Sequence, residues 1–134
     1  MTKIRIAKEI VLWILTLILV LVCIRSGLLK LTGNVFWVRD FHRWAYPDWF
    51  RMVVGLAEVA AAVLLLIPRV AVYGAGLFGI LMVGAIYTHA THNEWSRVPF
   101  NFFLIGLSLL IMVARSPALL DRFRRSVNRK SSLP

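Results

Sequence analysis

The sequence predicts an all-α membrane protein: a bundle of four transmembrane helices with an aromatic-rich interfacial loop between helices 1 and 2. Of its 134 residues, 60% are hydrophobic, and the mean hydropathy of +0.77 is far above that of a soluble domain. Four apolar stretches are each long enough to cross a bilayer core, which takes roughly 20 helical residues. Spanning strands would be shorter and alternate in polarity, so the stretches are predicted to be helices.

The four apolar stretches and their flanks give the domain organisation. The stretches cover residues 10–29, 52–67, 70–90 and 98–114. Gly33 ends the first, Pro68 turns the chain between the second and third, and Pro99 lies in the first turn of the fourth. We therefore expect a basic N-terminus at 1–9, a four-helix membrane domain at 10–114 and a basic tail at 115–134.

The N-terminal segment also resembles a secretory signal peptide, because Lys3, Arg5 and Lys8 precede an apolar run. That run is too long for a signal core, and no small-x-small cleavage site follows it. We therefore interpret it as the first transmembrane helix.

The distribution of basic residues predicts the orientation. Four crossings place both termini on one side of the membrane, and more Lys and Arg lie on that side than on the other. The side with the termini carries Lys3, Arg5, Lys8, Arg69, Arg115, Arg122, Arg124, Arg125, Arg129 and Lys130. The other side carries Lys30, Arg39, Arg43, Arg51 and Arg97. The positive-inside rule then predicts a multi-pass protein of the bacterial inner (plasma) membrane with cytoplasmic N- and C-termini.

The net charge and the cysteine content exclude several classes of function. The chain has 16 Lys and Arg against 6 Asp and Glu, a net charge of +10. These basic residues are scattered through hairpins and tails of an apolar chain, which favours contact with the lipid bilayer and predicts no nucleic-acid partner. Cys23 is the single cysteine, which excludes an internal disulfide, a CxxC redox motif and a cysteine zinc site.

The longest connector, at 33–49, mixes aromatic rings with charged side chains. Its rings are Phe36, Trp37, Phe41, Trp44, Tyr46 and Trp49. Rings with polar edges are typical of headgroup depth, so we interpret the connector as a short amphipathic segment on the outer rim of the bundle. Nucleotide stacking on the same rings is the alternative.

Small residues indicate where helices approach closely. They are concentrated in the second and third apolar stretches, at Gly55, Ala57, Ala60, Ala61, Ala62, Gly74, Gly76, Gly79, Gly84 and Ala85. In lipid, small side chains let helix backbones touch. The second and third helices are therefore expected to form a tight central hairpin.

Polar side chains on all four helices converge on the outer half of the bundle. Glu58 lies mid-helix, where a carboxylate must be neutral or paired, and such groups are functional candidates by default. If it is ionised, we expect Arg25 or Arg51 as its partner. The alternative to a functional role is a structural ion pair that fixes the helix register. Lys30 is expected to extend outward to the headgroups. The candidate ligand-binding or proton-relay residues are Glu58, His89, Asn101, Arg25, Arg51 and Lys30.

The spacing of two histidines resembles that of metal ligands. His89 and His92 are three residues apart and share a helix face. Two imidazoles on one helix turn cannot ligate a haem from opposite sides, and His42 in the rim connector is the other candidate. We therefore predict no metal site, and no catalytic residue is assigned.

Several motifs together carry a family resemblance. They are SGLLKL at 26–31, WAYPDWFR at 44–51, GLAE at 55–58, LLLIPR at 64–69 and GAIYTH at 84–89, followed by Asn101. In this order the sequence resembles the DoxX-like family of small four-helix membrane proteins from about residue 10 to 114. Ala45 stands where the family motif has Gly, and Arg25 stands where an apolar residue usually precedes the Ser-Gly pair.

The resemblance implies a four-helix fold and an association with redox systems, since subunits of thiosulfate:quinone oxidoreductase resemble the family. The first hypothesis is a membrane subunit of a quinone-linked oxidoreductase that binds a quinone or small ligand in an outer polar pocket. Glu58 would handle a proton, and His89 and Asn101 would bond the carbonyl oxygens, with Arg25 or Arg51 tuning the charge. No residue here carries electrons, so a redox partner is needed and a stand-alone enzyme is disfavoured.

The second hypothesis is a non-enzymatic assembly or stability factor for a partner membrane protein, because distant relatives of the family include a receptor chaperone. A small-solute transporter is third, because one four-helix unit lacks the inverted repeats that such folds often show. A homo-oligomer would restore that symmetry and is left open.

Overall fold

The computed structural model describes residues 2–132, without the side chains of 117–120, 122 and 123. Met1, Leu133 and Pro134, at the ends of the predicted termini, lie outside the described residues, as does the side chain of Arg122. Within this range every regular element is helical. The helices are α1 (Thr2–Leu31), α2 (Val35–Arg43), α3 (Asp48–Leu66), α4 (Ala71–Thr91), α5 (Val98–Arg115) and α6 (Pro117–Ser131), with a 3₁₀ turn at Trp95–Arg97.

The predicted fold class is confirmed. Four helices in the described range, α1, α3, α4 and α5, are long and apolar enough to cross a membrane. They pack in a ring, α1 against α3, α3 against α4, α4 against α5, and α5 back against α1. Side chains such as Leu19, Ala61, Phe78, Leu104 and Ile111 fill the centre. Large apolar side chains on the outer faces remain exposed, as in helices that face lipid.

The predicted rim segment is the short helix α2. Its N-cap is Asn34, whose side chain accepts a hydrogen bond of 3.0 Å from the Phe36 N–H. After α2 ends, Ala45 takes a φ of 61°. This left-handed conformation favours glycine, so the glycine that the family motif has at this position is explained by the turn.

Two glycine contacts set the spacing of the helices. A Cβ on Gly74 would lie 2.8 Å from the Ala61 carbonyl oxygen, which confirms the predicted close contact between the second and third spans. An equally close contact was not anticipated. A Cβ on Gly27 would lie 2.8 Å from the Gly55 carbonyl oxygen, so the backbones of α1 and α3 touch.

The remaining glycines of the third span contribute no comparable contact. A Cβ on Gly76 or Gly79 would meet its nearest neighbours at 3.8 and 4.0 Å, and one on Gly84 would meet nothing within 4 Å. Those neighbours belong to α5 rather than to α3. Counting small residues therefore overestimates the number of close contacts between helices.

At the opposite end of the bundle from α2, a cation joins the first and last spans. Arg115 donates to Glu9 at 3.3 Å, and its guanidinium lies 5.4 Å from the centre of the Trp13 ring. Beyond it, α6 carries exposed basic side chains at Arg124, Arg125, Arg129 and Lys130.

The α1–α3 contact can be tested by adding one methyl group. We expect Gly27→Ala to destabilise the protein in detergent by about 1–3 kcal/mol, because the new Cβ meets backbone that cannot move unless the helices separate. The matched control is Gly106→Ala, where nothing lies within 4 Å of the added Cβ. Equal thermal unfolding temperatures for the two variants would contradict the close contact.

Candidate ligand-binding site

A cavity of about 1090 Å³ lies inside the bundle at the end that carries α2, here called the α2 end. Side chains from all four spans and from α2 line it. Most of the wall is apolar or aromatic, including Trp37, Phe41, Trp44, Tyr46, Phe50 and Phe78. A cavity of this size and composition suits an organic ligand with a flat ring.

The cavity also reaches the outer surface of the helices. Its lining includes Ile80, Tyr87 and Phe100, whose side chains are exposed. These residues lie on spans whose outer faces meet lipid. An apolar tail on a bound ligand therefore has a route toward the hydrocarbon.

Lys30 and Glu58 form a buried ion pair at this end. The Lys30 Nζ donates to both Glu58 carboxylate oxygens, each at 3.0 Å, and to the Ser26 hydroxyl at 2.5 Å. Trp37 of α2 covers the ammonium, with its ring centre 3.8 Å from Nζ. Only 4% of Lys30 and 2% of Glu58 are exposed. Each charge is tolerated because the other is beside it.

Two expectations about these residues are therefore wrong. Lys30 does not extend toward the headgroups, because it lies on the face of α1 that packs on α3 and its side chain bonds one turn back along its own helix. Glu58 pairs with Lys30 and not with Arg25 or Arg51.

Arg51 and Arg25 occupy different surroundings. Arg51 is buried and donates to the Lys30 backbone carbonyl at the end of α1, where a cation suits the negative end of the helix dipole. Arg25 is exposed and forms part of the cavity wall.

A network of ion pairs holds α2 in place over the cavity. Asp40 of α2 is fully buried and accepts a hydrogen bond of 2.9 Å from Arg97 of the 3₁₀ turn. Arg43 of α2 pairs with Asp40 at 3.2 Å and also with Glu94, which precedes the 3₁₀ turn. The segment after α4 therefore holds the helix that roofs the cavity.

His89 connects this network to the cavity. Its Nδ1 lies 2.7 Å from a Glu94 carboxylate oxygen, and its ring packs edge-on against Trp44 with centres 5.4 Å apart. His92 is oriented separately, with its Nδ1 2.8 Å from the Thr88 carbonyl oxygen. Among the described residues, no group of three or more His, Cys, Asp or Glu is placed to hold a metal ion.

Among the described residues of the cavity wall, the amide Nδ2 of Asn101 is buried without a hydrogen-bond partner. The indole of Trp44, also in the wall, is directed at the Glu94 carboxylate. A third wall group, the Tyr46 hydroxyl, lies 2.8 Å from the Thr88 hydroxyl. An unpartnered buried donor is costly, so the Asn101 amide favours a ligand that brings a hydrogen-bond acceptor.

The charge of Glu94 follows from its neighbours. Burial acts to raise the pKa of this carboxyl, but the hydrogen bond with His89, the Trp44 indole and the charges of Arg97 and Arg43 hold the pKa below its ordinary value. Glu94 is therefore a carboxylate at neutral pH.

The structure brings four of the six predicted site residues to the cavity: Arg25, Lys30, His89 and Asn101. Glu58 lies behind Lys30, and Arg51 lies at the end of α1, so neither lines it. Sequence reasoning did not single out Trp44, Asp40 and Glu94 as site residues. The signal for Trp44 was present, since the aromatic connector contains it, but that connector was interpreted as facing headgroups.

These features define a class: a multi-pass four-helix membrane protein with a ligand-sized cavity beneath an amphipathic roof helix. Within that class the chain belongs to the DoxX-like family, whose pattern matches residues 14–111. It is also similar to YdgD, an uncharacterised protein of Bacillus subtilis (strain 168), with 34% identity over 92 residues, covering 66% of this chain and 81% of the relative. No solved structure matches it.

The Lys30–Glu58 pair predicts a specific pattern of rescue. Glu58→Gln should cost about 3–5 kcal/mol of stability in detergent, because it leaves a buried ammonium without its counter-charge. Adding Lys30→Met should recover most of that loss. Adding Arg25→Leu instead should recover none. Stability is measured by thermal unfolding. Rescue by Arg25→Leu would show that Lys30 is not the partner of Glu58.

The stability that the Glu94 pairs give to the packing of α2 should be lost in acid. Since its pKa in the folded protein lies below the ordinary 4.5, its pairing stabilises the fold above that pH and is lost as pH falls through the lower folded value. The gap in unfolding temperature between wild type and Glu94→Gln should therefore close as the pH falls below 4.5.

The control for this titration is Asp48→Asn, which removes the exposed pair with His42. Exposed pairs contribute little, so it should match the wild type throughout. A Glu94→Gln gap that persists unchanged in acid would rule out the carboxylate as its cause.

Proposed function

We propose that this DoxX-like protein is the ligand-binding membrane subunit of a quinone-linked oxidoreductase system, and that the cavity holds a quinone head group. The observation that supports this is the unpartnered donor Asn101 Nδ2 in a wall that is otherwise largely aromatic. A quinone offers a flat ring to the aromatic side chains and a carbonyl oxygen to this donor.

The apolar opening at Ile80, Tyr87 and Phe100 supports the same ligand class. A polyisoprenoid tail can leave the cavity there and remain in the hydrocarbon. With both termini cytoplasmic in the bacterial inner membrane, as the positive-inside rule predicts, the head group lies in the periplasmic half.

The chain's own residues bind and orient the ligand. Asn101 donates to a ring oxygen, the aromatic wall packs on the ring, and the Lys30–Glu58 pair lies at the edge of the cavity. Glu58 acts through Lys30, since it does not reach the cavity itself. The single cysteine leaves no internal dithiol to carry electrons, so a redox partner supplies them and this subunit is not a stand-alone enzyme.

Binding of a decyl-chain benzoquinone to the protein in lipid nanodiscs tests the proposal. Asn101→Leu keeps the approximate size and removes the amide. It should weaken binding about five- to tenfold, the effect of one buried hydrogen bond of roughly 1 kcal/mol or slightly more. Trp49→Phe is the control, because Trp49 is exposed and lies outside the wall.

Native mass spectrometry of the purified protein separates this proposal from the assembly-factor hypothesis. A co-purifying quinone supports the proposal. A stoichiometric partner protein without any small molecule, together with no binding of the benzoquinone probe, would favour the assembly factor instead.

A further inference from the structure

The chain carries two histidine–carboxylate pairs, and one of them faces the cavity. His42 and Asp48 form an exposed pair at 2.9 Å on the rim. His89 and Glu94 form a mostly buried pair at 2.7 Å, and His89 is part of the cavity wall whereas Glu94 is not. Glu94 therefore contacts Nδ1 from outside the wall, which leaves Nε2 as the ring nitrogen available to the cavity.

This arrangement fixes which ring nitrogen carries the proton. A carboxylate accepts hydrogen bonds and cannot donate them, so Nδ1 of His89 must be the protonated nitrogen. In the neutral ring, Nε2 is then an acceptor. Within the described residues Nε2 of His89 has no hydrogen-bond partner.

The cavity thus presents an acceptor, His89 Nε2, as well as a donor, Asn101 Nδ2. The acceptor ring lies against the indole of Trp44, with centres 5.4 Å apart. A carbonyl oxygen satisfies the Asn101 donor but has no hydrogen for His89. A ring hydroxyl can donate to Nε2, and a second ring oxygen can still accept from Asn101.

We propose that the cavity selects a ring hydroxyl, and so prefers a hydroquinone to the corresponding quinone, and that Glu94 is the positioning residue that sets this preference through His89. The inference rests on the proposed function, and it specifies which redox form of the ligand the site prefers. No bond is made or broken in this step, since the hydroxyl proton stays on the ligand.

Glu94→Gln tests the mechanism of selection. Arg43 pairs with one carboxylate oxygen of Glu94 and His89 with the other, from which the Arg97 guanidinium lies 3.7 Å away. In the variant, Arg43 takes the amide oxygen, because its guanidinium only donates and is in closer contact than that of Arg97, and the amide NH₂ is left facing His89. Nδ1 must then accept, so the proton moves to Nε2, and the ring offers the cavity a donor. The preference should therefore reverse toward the quinone.

The experiment measures binding of a decyl-chain benzoquinone and of its chemically reduced hydroquinone to the protein in nanodiscs under anaerobic conditions. We expect the wild type to bind the hydroquinone about tenfold more tightly, the effect of one buried polar group left unpaired. Glu94→Gln should bind the quinone more tightly. Asp48→Asn, which removes the matched pair on the rim, should keep the wild-type ratio.

The outcomes separate this inference from the proposed function. Equal affinity of the wild type for both forms, or equal weakening of both in Glu94→Gln, overturns the inference alone. Binding of neither form by the wild type overturns the proposed function and the inference with it.

A second measurement does not depend on how well the variant folds. The chain has three histidines, so ¹⁵N-histidine NMR of the wild type resolves the tautomer of each ring. The inference predicts a proton on Nδ1 of His89 and none on Nε2. A ring protonated on Nε2 at neutral pH overturns it.

Discussion

The Lys30 ammonium and the Glu58 carboxylate lie against each other in the apolar interior, and the arrangement of α1 and α3 depends on that contact. The pair forms because Gly27 and Gly55 let the two backbones touch, which brings the charges within 3.0 Å. It also fixes the rotation of α1 about its axis, since any other rotation would leave both charges unpaired in lipid or protein. Arg51 adds to this by bonding the carbonyl of Lys30.

The roof of the cavity follows from the same contact. Once Lys30 is held inside, the ring of Trp37 covers it, and α2 therefore lies across the end of the bundle. Asp40 is then buried and needs its own cations, which Arg97 and Arg43 supply. The cavity is the space left between this roof and the core.

Hydropathy, turn residues and motifs predicted the four spans, the rim segment and the family, because these depend on local composition. They did not predict the partner of Glu58, because partner choice depends on how α1 is rotated and spacing in one sequence does not give that. Lys30 shares its helix face with Gly27, a signal that this face packs on another helix. The His89–Glu94 contact depends on the turn at Asn93, whose φ is 59°. Asparagine is a recognised residue for ending a helix in this conformation, but the sequence does not give the carboxylate that the turn brings to His89.

Infrared difference spectroscopy on Glu58 tests the central claim most directly. The account predicts that the wild-type protein in nanodiscs, compared with Glu58→Gln, shows the bands of one ionised carboxylate. It also predicts that Lys30→Met converts that carboxylate to a protonated acid, because the counter-charge is gone. A protonated carboxylic acid at Glu58 in the wild type, unchanged by Lys30→Met, would contradict the ion pair as the basis of this structure.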